Sequence, residues 1–191
     1  HESLPKGIIR DYPAYEVRSM MVDVGRFYMP LDYLKDLSKY MAYFKINEVH
    51  VHMNDVGGEQ SSAYRIESKK YPEINSNLPK DQVYSQEDYK AFQKEVFKYG
   101  IDVVTELDTP AHAGFVGLYD SSLIFSGKYI DLTNRKSVEF IKSLIDELLD
   151  GDDPVIQSTN FHVGADEYPT KYQNLAKKIT NSEKQNRIQV L

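Results

Sequence analysis

Cysteine and tryptophan are both missing from the 191 residues. Without cysteine the chain can form neither a disulfide framework nor a thiolate metal site. No apolar run approaches the roughly 20 residues of a membrane-spanning helix. Positive charge is in the minority, with 23 Lys and Arg against 29 Asp and Glu, for a formal net charge of −6. A pI near 5.4 argues against nucleic acid as the main partner, because a phosphate backbone rewards a basic surface. No glycine-rich phosphate fingerprint follows the first strand-like run, which weakens a nucleotide-binding reading. There is no internal repeat and no visible signal peptide. A chain that begins at His1 rather than Met is expected to be an excised segment. The 15 Tyr suit a sugar site or plain core and surface packing equally well.

What is present suits one globular domain: 41% hydrophobic and 27% charged residues over a length that can bury a core. Four apolar, β-rich runs recur, at 17–24 (VRSMMVDV), 46–53 (INEVHVHM), 101–107 (IDVVTEL) and 160–163. Helical patterns separate them. In 31–44, Leu34, Leu37, Met41 and Phe44 share one face, and Pro30 opens the segment where a missing N–H does no harm. Ser85 reads as the cap of a helix that stops at Gly100. A further helix spans 134–149. The stretch 54–84 is a long polar excursion, and such loops are usually functional. Alternating strands and helices predict an α/β fold with a parallel sheet. It is either an open doubly wound sheet or part of a (β/α)8 barrel of the TIM type. A full barrel needs about 250 residues. Four units are therefore a partial barrel, with 1–16 as a lead-in, 17–168 as the first half, and 169–191 as a polar tail or truncated continuation.

In either architecture the chemistry belongs at the C-terminal ends of the strands. Those ends carry Asp23 and Arg26; His50, His52, Asn54 and Asp55; Glu106, Asp108 and His112; and His162, Asp166 and Glu167. Each has an ordinary structural explanation when taken singly. Asp23 and Glu106 lie inside apolar runs and are expected to be buried and paired. His50 and His52 alternate along one strand, so they share a face, and either could be a satisfied core histidine. Asp166-Glu167 could be the acidic start of a helix. Four consecutive ionisable strand ends are harder to explain as solvated surface.

Five ordered blocks resemble the β-N-acetylhexosaminidases of glycoside hydrolase family 20. They are MMVDVGRFYMP, KINEVHVHMND, YRIESKKYPEI, YSQEDYKAFQKEVFKYGIDVVTELDTPAHA and FHVGADEY. The likeness covers about 17–168. Two departures stand out. Ala165 replaces the second glycine of the acid motif, and DVGGEQSSAY replaces a segment that usually carries a Trp. That segment is closer to the lacto-N-biosidase branch.

The resemblance implies a retaining, substrate-assisted glycosidase that removes β-linked N-acetylhexosamine, or a disaccharide containing it, with no cofactor and no metal. Glu167 would be the general acid and then the base, a role that needs a carboxyl able to keep its proton near neutral pH. Asp166 would stay ionised and hold the 2-acetamido group. Adjacent residues on an extended chain point to opposite sides, so the pair is expected to diverge. Arg26, Asp55 and His112 would bind the sugar, with His52, Asp108 and His162 in support. The partner would be a glycan ending in N-acetylhexosamine, met outside the cell or at its surface, in a bacterium. Two rivals remain open. One is a metal-dependent barrel hydrolase using His50, His52 and His112. The other is a catalytically incomplete fragment whose bare strand edges drive self-association.

Overall fold

The computed structural model describes residues 6–58 and 62–171. Among the described residues, eight strands and four α-helices follow one another. The strands are β1 (Ser19–Asp23), β2 (Glu48–His52), β3 (Asn54–Val56), β4 (Ser62–Tyr64), β5 (Asp102–Thr109), β6 (Ile124–Phe125), β7 (Tyr129–Ile130) and β8 (Phe161–Gly164). The helices are α1 (Leu31–Tyr43), α2 (Gln86–Phe97), the single turn α3 (Val116–Tyr119) and α4 (Arg135–Leu149). Ser85 Oγ caps α2 by accepting from Asp88 N, and Asn134 caps α4 by accepting from Lys136 N. Gly100, at φ 76°, turns the chain out of α2 toward β5.

Strands β1, β2, β5 and β8 form one parallel sheet in that order. Each new strand joins the same edge. A doubly wound sheet would instead reverse its order at a switch point. One face carries Val22, Val49, Val51, Val103 and Thr105, all buried. The helices cover this face. Tyr89 of α2, itself buried, hydrogen-bonds Thr105 Oγ1 at 2.8 Å, while Leu34, Phe92 and Leu144 complete the same core. Each such side chain contributes roughly 1.5–3 kcal/mol by leaving water. The outer strands are less covered, and Met20, Met21 and Val163 are exposed.

The four expected strands and three long helices are all present. The excursion after β2 holds more order than its polar composition suggests: β3 and β4 pair as an antiparallel hairpin, and Ile66 bridges to Tyr84. A second small hairpin, β6–β7, occupies the loop after β5. Strands of two or three residues are too short to show a periodic pattern. Residues 6–18 form neither helix nor strand and are exposed almost throughout. Most of the expected tail, 172–191, lies outside the described residues.

Candidate active site

Parallel registration decides which side chains meet. Asp23 pairs with His52, His52 with Glu106, and Glu106 with His162, so four strands place four ionisable groups in one row. Side chains alternate between faces, which puts this row opposite the helix-covered valines. Glu106 is its hub. Glu106 Oε2 lies 2.8 Å from His50 Nε2 and 2.7 Å from His52 Nδ1, and Oε1 lies 3.2 Å from His162 Nδ1. Burial works against its charge, but the bonds to His50 and His52 outweigh it and hold the carboxyl far below the usual range. Glu106 is therefore buried and paired, as expected. Asp23 is paired with Arg26 but stays partly exposed. His52 is bonded through both ring nitrogens and His50 through Nε2, and both also line the cavity above them.

Asp55 occupies a different place from the expected sugar contact. It is only 1% exposed. Its Oδ2 takes Arg26 Nη2 at 2.6 Å and His52 Nε2 at 2.9 Å, and its Oδ1 takes His112 Nδ1 at 2.8 Å and the Val56 N–H at 2.6 Å. No lone pair is left for a sugar hydroxyl. Asp55 anchors the residues that reach outward. Arg26 spans Asp55 and Asp23, with its Nη1 2.7 Å from Asp23 Oδ2, while its outer side stays open to solvent.

Because His112 Nδ1 faces Asp55, its Nε2 points to the rim. It lies 3.4 Å from Asp166 Oδ1, 3.3 Å from Glu167 Oε2 and 3.8 Å from Asp108 Oδ2. The acid pair converges on one imidazole and does not diverge to opposite sides. The cause is in the backbone. Ala165 has φ 71° and Glu167 φ 48°, so the segment after β8 curls and is not extended. His112 itself has φ 53°. Strained positions of this kind persist where the surroundings hold them, and they cluster at functional sites. Asp166 and Glu167 remain accessible, with side chains 67% and 70% exposed.

Asp108 lies beneath them. Its Oδ1 is buried without a hydrogen-bond partner. Burial, reinforced by Asp166 and Glu106 and opposed by His112, pushes its carboxyl up to about 7. Gly164 makes room for it. A Cβ there would stand 1.8 Å from Asp108 Oδ1 and 2.8 Å from Asp108 Cα, on a backbone with φ 67°. Gly164→Ala is therefore expected to cost about 2–3 kcal/mol of stability and to displace Asp108. Urea unfolding checks the first effect; a midpoint equal to that of the unsubstituted protein would contradict it.

These groups surround a cavity of about 320 Å³, at the small end for ligand sites and suited to one sugar ring. Arg26, His50, His112, His162, Asp166 and Glu167 face it. All eight residues expected to act as catalytic, binding or supporting groups belong to this one network. Among the described residues, no metal-capable donor group unites His50, His52 and His112. The groups that do converge, such as His50, Glu106 and His162, draw on the same hydrogen-bonded network. Both nitrogens of His52 are already spent on carboxylates.

Two supporting residues were not singled out as site residues. Asn54 is fully buried; its amide donates to the carbonyls of Asp108 and His112 and accepts from Asp108 N, tying β3 to the end of β5. Arg65, also fully buried, donates through Nε to Val24 O at 2.7 Å and through Nη2 to Gly25 O at 3.3 Å, bracing the turn that carries Arg26. A lone arginine between Tyr64 and Ile66, inside an apolar stretch, was the available signal.

A parallel α/β sheet thus gathers, past its strand ends, a carboxyl pair on curled backbone beside a buried network of histidines and carboxyls. The sequence matches the family model for the glycosyl hydrolase family 20 catalytic domain over residues 15–191, and the chain belongs to that family. It is 29% identical to a β-hexosaminidase of Akkermansia muciniphila, over 89% of this chain and 38% of that protein. It is 28% identical to a lacto-N-biosidase of Bifidobacterium bifidum, over 96% of this chain and 16% of that protein. The fold superposes on a chitobiase from Flavobacterium johnsoniae with a TM-score of 0.76 and 27% identity, covering 94% of this chain and 28% of that one. The chain thus spans well under half the length of these relatives. No described helix is long and apolar enough to cross a membrane.

Proposed function

We propose that this chain carries the acid pair of a glycosidase that releases β-linked N-acetylhexosamine, or a disaccharide containing it, from the ends of glycans. The observation that carries this is the convergence of Asp166 and Glu167 on His112 Nε2 at the mouth of a sugar-sized cavity. Arg26, with its open side, offers a planar fork to the sugar hydroxyls. The carbonyl oxygen of the 2-acetamido group attacks the anomeric carbon, and the bond to the leaving oxygen breaks as Glu167 protonates that oxygen. Asp166 accepts the acetamido N–H and stabilises the oxazolinium charge. Water then attacks the same carbon, giving its proton to Glu167, and the ring opens with retention.

Residues 17–168 form, on this reading, the first four units of a (β/α)8 barrel, preceded by a lead-in at 1–16 and followed by 169–191 as a polar tail or truncated continuation. Support comes from the one-directional strand order, the polar face opposite the helices, and two exposed outer strands. Those bare edges would favour self-association of the chain when nothing else covers them. The setting is extracellular or cell-surface glycan breakdown.

The test is hydrolysis of a chromogenic N-acetyl-β-glucosaminide and of the matching lacto-N-bioside. Release from the first supports the single-sugar activity, and release from the second alone supports the disaccharide activity. Silence on both from a folded chain would mean that these four units do not act without the rest of a barrel.

A further inference from the structure

We propose that His52 is a permanently charged positioning residue, an imidazolium clamped between Glu106 and Asp55 that holds Asp55 ionised beneath Arg26 and His112. The proposal deepens the glycosidase reading, and its activity test rests on that reading. The geometry alone argues for the charge. His52 Nδ1 lies 2.7 Å from a Glu106 oxygen and Nε2 lies 2.9 Å from an Asp55 oxygen. A neutral imidazole has one N–H, so its bare nitrogen would face a carboxylate lone pair at hydrogen-bond distance. Only the protonated ring donates at both ends.

A proton on either carboxyl could also satisfy the contacts, but each carboxyl has other donors. Glu106 also faces His50 and His162. Asp55 also takes Arg26, His112 and the Val56 N–H. Asp23 on β1 adds a further negative charge toward the ring. Burial opposes the His52 charge, but the bonds to Asp55 and Glu106 outweigh it and lift its pKa to about 10. The network then alternates in sign: Glu106 negative, His52 positive, Asp55 negative, Arg26 positive, Asp23 negative. Only 7% of His52 is exposed, so it acts through its neighbours and not on the sugar. Were the cation removed, Glu106 and Asp55 would be left without the positive charge between them. Asp55 would then hold a proton to higher pH and could no longer accept from both Arg26 and His112.

Two measurements test this. In nitrogen-15 NMR of the unsubstituted protein, assigned with single histidine variants, both ring nitrogens of His52 should stay protonated from pH 5 to at least pH 8. A bare ring nitrogen at pH 8 would overturn the proposal, whether or not any variant folds and whether or not the chain turns over substrate. In a protein with turnover, His52→Gln should lower kcat more than it raises KM. It should also move the acidic limb of kcat/KM upward by about one pH unit, the scale of one lost charge-assisted bond. A lowered activity with an unmoved limb would make His52 merely structural. Absence of turnover in the unsubstituted protein would mean that these four units do not act without the rest of a barrel, and the NMR result alone would then decide the proposal.

Discussion

Glu167→Gln is expected to lower kcat by about a thousandfold while leaving sugar affinity within a few-fold. General acid–base catalysis typically supplies about 10²–10⁴-fold, and in the proposed mechanism Glu167 serves both halves of the reaction. The amide keeps the shape of the carboxyl and can still face His112 Nε2, now 3.3 Å from the carboxylate oxygen. It has no acidic proton for the leaving oxygen and no basic oxygen for the incoming water. The loss should be smaller with a nitrophenyl leaving group than with a sugar, because an acidic phenol departs with less help. Asp166, Arg26 and the cavity are untouched, so a non-hydrolysable N-acetylglucosamine analogue should bind nearly as before. Kinetics on the two substrates and calorimetry on the analogue check this. A kcat within tenfold of the unsubstituted protein would remove Glu167 from the role of acid.

Asp108→Asn should raise stability at pH 8 and leave it unchanged at pH 4 and below. Burial lifts the folded-state carboxyl to about 7, against an ordinary 3.8. Folding therefore takes up a proton between these values. The contribution is fully present below about pH 4 and is lost as pH rises through 7. Each pH unit of that gap is about 1.4 kcal/mol, so the substitution gains up to about 4 kcal/mol at pH 8. The amide carries no charge to bury. Urea midpoints at both pH values decide the matter; equal gains at pH 4 and pH 8 would show that ionisation of Asp108 is not the cause. The same substitution should reduce turnover, since Asp108 lies beneath His112 and Asp166, a usual trade of activity against stability.

Much of this architecture was legible in the chain. The four apolar runs, the three amphipathic helices and the Ser85 cap follow from local preferences that act within a few residues. The rim residues were legible too, because a parallel α/β unit delivers each strand end to the same side. The hairpins β3–β4 and β6–β7 were not legible, since two- and three-residue strands carry no period. The inward orientation of Asp55 was not legible, because one carboxylate looks like another in sequence. Only its four donors, brought from three other segments and from its own neighbour Val56, show that it faces inward.

Composition and pattern by themselves determined an α/β chain with acids and histidines gathered at the ends of its strands. Adjacency alone placed Asp166 next to Glu167. Tertiary structure decided what those groups do to one another. Registration across β1, β2, β5 and β8 set Asp23, His52, Glu106 and His162 in one row. Left-handed backbone at Ala165 and Glu167 turned the acid pair onto His112. Charge states and contacts depend on distances of a few ångströms between residues some 50 to 60 positions apart, and no local preference in the chain encodes such distances.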